Sequence, residues 1–181
     1  IDRFKGFILD RNWIDDPFAE GCLMADGGWK GFEFIGGLVL LTGIAIFTFA
    51  WKRNRFDKAL VILTGTIPVF MLIAMLLIVP RVEIYSQRAA IDFFISVSDQ
   101  DAYLETVGYK SYAHLFYGKV RKPAVQRDEK WLLTGPVDKD AYFSITVTGR
   151  DRFLQEFPAA ELLYERNGFV FFKRNSRTIN D

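Results

Sequence analysis

The residues able to do chemistry are few and scattered. His114 is the only histidine and Cys22 the only cysteine among the 181 residues. A zinc-type centre needs several such ligands, so the sequence offers no basis for one, and no metal or cofactor is expected. Ser111 and His114 lie close together in the chain. A nucleophile–base pair also needs an orienting third group, and the sequence argues for none. His114 reads instead as packed among Tyr112, Phe116 and Tyr117, and Cys22 as a small apolar filler. Adjacent acids, Asp15 with Asp16 and Asp138 with Asp140, can do acid–base or metal work when buried near a cation. Here they read as solvated turn or cap residues. Lys119, Arg121, Lys122 and Arg127 form a basic stretch suited to anionic headgroups or a polyanionic acceptor. There is no glycine-rich phosphate loop. A net charge of +1 gives no case for nucleic acid as a partner.

The elements that would hold these residues begin with 59–80, ALVILTGTIPVFMLIAMLLIVP, an uncharged run between Lys58 and Arg81. A bilayer core takes roughly 20 helical residues to cross. A helix here is apolar all round, as a lipid-facing or bundle-buried helix must be. Residues 34–51 form a first span, extended by the interfacial aromatics Phe32 and Trp51. Gly36, Gly37 and Gly43 allow close helix approach. The link 52–58, KRNRFDK, carries four bases against one acid. Such short basic loops stay in the cytoplasm, which puts 1–33 and 81–181 outside, in the periplasm of a bacterium. The outer segment 1–33 mixes charges with aromatics. Within it Pro17 starts a short helix over 18–24, with Asp16 as its cap. The chain starts with Ile1 and lacks a signal peptide's apolar stretch, so it is read as a piece of a longer, multi-pass protein.

Residues 81–181 are long enough for a small domain. The pattern predicts a helix over 87–97 with Ser86 as cap. Ala90, Phe93, Phe94 and Val97 share one face, and Arg88 and Asp92 lie on another. A strand over 101–108 follows, then a short helix over 111–117 with its aromatics on one side. After the polar stretch 119–130 and the apolar WLLTG of 131–135 come a strand over 141–148 and a helix over 150–157. Strands 161–166 and 169–174 are joined by Asn167-Gly168, a strong hairpin signal. Residues 175–181 read as a frayed tail. The expected fold is therefore membrane α, two terminal transmembrane helices of a larger bundle, followed by a small α/β domain with a mixed sheet and a C-terminal β-hairpin. Its divisions are 1–33, 34–80 and 81–181.

Three stretches carry a resemblance: YSQRAAIDFF (85–94), YLETVGYKSYAHLFY (103–117), and WLLTGPVDKDAYF (131–143) followed by ERNGFVFFKR (165–174). In this order, after a terminal span, they resemble the C-terminal end of bacterial multi-pass glycosyltransferases of the protein-mannosyltransferase-like family, to which the aminoarabinose transferases of lipid A belong. The resemblance implies a large helix bundle in the bacterial inner membrane, with an outer soluble domain. It implies transfer of a sugar from a polyprenyl-phosphate donor to a lipid, glycan or protein acceptor at the outer face. The family's catalytic acid lies in its first outer loop, which has no counterpart here, so no catalytic residue is carried over and the chain alone is expected to be inactive. The leaving lipid phosphate needs cationic partners. Arg11 and Lys30, both beside aromatics, are candidates for that role, and Arg88, Lys110 and Tyr112 for shaping the acceptor side. The alternative is a membrane-anchored extracytoplasmic binding or scaffold module without enzymatic activity.

Overall fold

The computed structural model describes residues 2–11, 13–118 and 129–176. The basic stretch Lys119, Arg121, Lys122 and Arg127 and most of the expected tail lie outside them. The chain forms two compact units, one of Asp26–Ile84 and one of Ile1–Ala25 with Tyr85–Asp181.

The first unit is built on two long apolar helices, α3 (Phe34–Lys52) and α4 (Phe56–Leu77), followed by the short α5 (Val79–Ile84). Both long helices have the length and composition to cross a membrane. The apolar windows of the two are 17% and 0% buried, which is not how the core helix of a water-soluble domain looks. The second helix starts at Phe56, earlier than the charge-free run suggests, because Asp57 and Lys58 are tolerated in its first turn. It ends at Leu77 rather than at Pro80, and 79–84 form a helix of their own. Asn54, at φ 55°, makes the turn between the spans. Small residues set the crossing: Gly43 and Ala50 of α3 and Ala59 of α4 are buried. Pro68 sits inside α4 and cannot donate to the carbonyl one turn back. Nearby, the Thr66 hydroxyl donates to the Ile62 carbonyl at 2.7 Å.

The second unit is a four-stranded mixed sheet whose two central strands are covered on both faces. Its strands are β1 (Tyr103–Thr106), β2 (Ala141–Thr146), β3 (Glu161–Arg166) and β4 (Phe169–Arg174), in the order β1-β2-β4-β3. β1 runs parallel to β2, and β4 is antiparallel to both β2 and β3. Side chains alternate across a strand, so β4 feeds two cores. Phe169 and Phe171 join Phe93, Phe94 and Tyr142 on one face. Val170 and Phe172 join Phe143, Ile145, Phe153 and Leu133 on the other. Double burial is why FVFFKR reads as a continuous apolar run rather than an alternating one. Helices α6 (Arg88–Val97) and α7 (Ala113–Tyr117) serve the first core, and α8 (Glu129–Thr134) and α9 (Arg150–Glu156) the second. WLLTG thus belongs to a helix that the apolar run alone did not announce. Gln87, not Ser86, stands at the cap of α6, and it makes no side-chain cap hydrogen bond.

Residues before Ala25 form α1 (Asp2–Asp10) and α2 (Pro17–Leu23) and belong to this second unit. The sequence sets 1–33 apart as a segment of its own; packing joins most of it to the sheet. Asp16 caps α2 as expected, accepting the Phe18 N–H at 2.9 Å. The Phe18 ring then meets Phe169 edge-on at 5.1 Å.

Candidate functional site

The sheet unit holds an apolar cavity of about 520 Å³ beside α2. Phe18 and Cys22, one turn apart on α2, form one wall, and Tyr85, Tyr109, Thr146 and Phe169 others. Tyr109 donates to the buried Ser144 hydroxyl at 2.9 Å, and burial pushes its phenol up to about 12. The Cys22 thiol is also raised, chiefly by burial, and lies 3.5 Å from the Asn167 carbonyl. A protonated, buried thiol is a poor nucleophile, which leaves Cys22 the packing role expected of it. These lining residues come from five separate stretches, and only the Phe18–Cys22 spacing gave a local hint.

A second, more polar pocket of about 480 Å³ lies where α6 begins and α7 follows the Gly108 turn. Lys110 and Tyr112, two of the predicted acceptor residues, line it with Gln87, Ser111, Phe116 and Tyr117. The Ser111 hydroxyl lies 3.4 Å from the Gln87 side-chain oxygen and accepts the Ala113 N–H at 3.2 Å. The pocket therefore offers a carboxamide, a hydroxyl, an ammonium and aromatic rings, groups that suit a hydroxyl-rich or anionic ligand. Arg88 is next to Gln87 but is turned to its own helix, pairing with Asp92 at 2.8 Å.

The predicted donor residues fall in different units. Arg11 is exposed and lies over the Phe7 ring at 4.4 Å and the Trp13 ring at 5.9 Å. Lys30 is exposed in the turn before α3. Its backbone N–H, with that of Gly31, is taken by Glu33 at 3.0 and 2.8 Å. Glu33 is held below the usual carboxylate range, first by the Lys30 N–H, with Gly31 and the Arg81 guanidinium, 3.9 Å away, helping. Sequence reasoning missed this cluster because Glu33 and Arg81 flank the two spans from opposite ends of the apolar region.

His114 is buried as expected, but without Tyr112 and Phe116 around it. Its ring packs on Phe94 at 5.9 Å, and Nε2 lies 3.6 Å from Glu105. Burial lowers its basicity, and Glu105 opposes that. The Ser111 backbone bears on the imidazole, while the Ser111 hydroxyl is turned to Gln87 and the Ala113 N–H, so the two side chains form no nucleophile–base pair. Tyr112 and Phe116, read as its neighbours, are exposed to solvent instead, because α7 turns Ala113 and His114 inward. Of the paired acids, Asp138 accepts the Tyr103 hydroxyl and Asp140 binds Lys173 at 2.8 Å and the Ser176 N–H. Among the described residues no group of His, Cys, Asp and Glu could hold a metal ion. Compared with protein-family models, curated proteins and solved structures, the chain matches none.

Proposed function

We propose that this chain is part of an integral-membrane glycosyltransferase that moves a sugar from a polyprenyl-phosphate donor to an acceptor at the outer face of the membrane. The observation that carries the reading is the ordered set of motifs from Tyr85 to Arg174 following two membrane-length helices. The basic link between the two long helices supports a cytoplasmic link with the sheet unit outside. In such a reaction an acceptor oxygen attacks the anomeric carbon with help from an acidic base, and the phosphate leaves toward cations. Neither the base nor any other catalytic group is assigned to this chain. The Lys110–Tyr112 pocket supports an acceptor-side role for this unit. The test is donor-dependent transfer by the full-length enzyme, with the product read by mass spectrometry. Lys110→Ala and Tyr112→Ala are expected to slow transfer about tenfold, roughly 1.4 kcal/mol of barrier, with folded protein retained. Charge reversal at Arg11 and Lys30 is expected to weaken donor affinity. Unchanged rates and affinities would remove these assignments, and a full-length protein without transfer activity would remove the reading itself.

One observation favours a binding or scaffold module instead. β3 is an edge strand whose six residues are all exposed, with Leu162, Leu163 and Tyr164 among them. Such an edge can accept a partner strand. Absence of donor turnover together with recovery of a stoichiometric partner would favour that reading.

A further inference from the structure

Tyr112 and Phe116 are 81% and 79% exposed, more than Val61 at 73%, the most exposed large apolar residue of α4. Two aromatic rings of a folded domain are thus barer than a helix that needs lipid or other helices around it. They are not scattered. Tyr112, Leu115 and Phe116 follow helical spacing, so they form one outward face on α7, and Leu115 is also exposed. Phe116 stands edge-on to Tyr117 at 4.9 Å. Lys110, exposed and without an ion-pair partner among the described residues, lines the same pocket. Single exposed apolar residues are ordinary, whereas two bare rings lining one pocket with a cation mark an interaction surface.

We infer that this face of α7 docks onto the headgroup layer of an anionic phospholipid bilayer, with Tyr112, Leu115 and Phe116 bedded among the headgroups and Lys110 on their phosphates. Amphipathic rings favour that depth, and a basic residue near an anionic surface strengthens the attachment. Charge complementarity selects this occupant over an apolar protein face, which would leave the Lys110 ammonium buried and unpaired. The chain that carries the face also carries two membrane-length helices, so a bilayer is always at hand. The inference rests on those helices spanning a membrane, and not on sugar transfer.

The test uses the whole chain in a Cys22→Ala background, reconstituted into phosphatidylcholine vesicles with or without phosphatidylglycerol. Spin labels are placed by Phe116→Cys, by Ala45→Cys on α3 as the membrane reference, and by Gln155→Cys on α9 as the water reference. Collisions with oxygen and with a water-soluble nickel chelate report depth. In the anionic vesicles the label at 116 is expected to favour oxygen as the label at 45 does, and unlike the label at 155. Lys110→Ala is expected to reduce the docked population about fivefold. Tyr112→Cys, at the other ring, repeats the measurement from a second exposed position. A label at 116 that stays in water while the label at 45 is in hydrocarbon overturns the docking and leaves the spans standing. If both stay in water, the spans and the docking fall together. Dipolar broadening between labels at 116 on two molecules would show a second copy on this face and overturn the lipid assignment.

Discussion

Gly21 of α2 lies against Gly168 of the β3–β4 turn so closely that a Cβ on Gly21 would stand 2.6 Å from the Gly168 nitrogen. Gly168 has φ 79°, and its own Cβ would meet the Phe18 carbonyl oxygen at 2.7 Å. The contact joins backbone to backbone, so neither side can yield as a flexible side chain would. Gly21→Val is expected to destabilise the sheet unit by about 1–3 kcal/mol, as overpacking does. Gly6→Ala, in open space on α1, is expected to add about 0.5–1 kcal/mol instead. Thermal unfolding of the two variants side by side checks both signs.

The two long apolar helices close on each other by a similar device. A Cβ on Gly43 would collide with the Thr66 side chain, whereas Gly37 faces open space. Gly43→Ile is expected to cost about 1–3 kcal/mol of hairpin stability, and Gly37→Ile little. Unfolding in mixed micelles, followed by tryptophan fluorescence, would compare them.

Glu33 links the turn before α3 to Arg81 through its carboxylate. Its acidity is raised in the folded state, so its contribution to stability is present above the ordinary glutamate value near 4.3. That contribution is lost as pH falls through the lower, folded value. The wild-type unfolding midpoint should therefore drop across this acid range, and Glu33→Gln should lack that part of the drop. A variant with the wild-type acid profile would show that the carboxylate contributes nothing.

Arg174 is buried at the end of β4 and donates to the carbonyls of Leu132, at 2.6 Å, and Gly135. It thereby satisfies acceptors at the end of α8 that the helix itself cannot reach. Arg174→Met keeps the stem but leaves those carbonyls unpaired, at a cost of about 1–3 kcal/mol. Denaturant unfolding, with Arg166→Met on the exposed edge strand as the near-neutral comparison, reads the difference.

Much of this architecture was legible in the chain. The apolar stretches, the alternation over 141–148 and the Asn167-Gly168 turn each depend on neighbours a few residues away, and helices and strands form in those places, although the strand stops at Thr146 and 147–149 make a 3-10 turn. The Phe93, Phe94 and Val97 face of α6 is buried as its spacing requires. Helix α8 escaped because WLLTG is too short for its period to show.

Local pattern could not decide which surfaces meet. That α2 belongs with the sheet unit depends on two glycines 147 positions apart, Gly21 and Gly168, whose close approach has no signature in either stretch. That His114 turns inward while Tyr112 and Phe116 turn out depends on Phe94 and Glu105 occupying the inner side of α7. Periodicity assigns a residue to a face. Which face is buried is settled only by what packs against it, and that is a property of the folded chain.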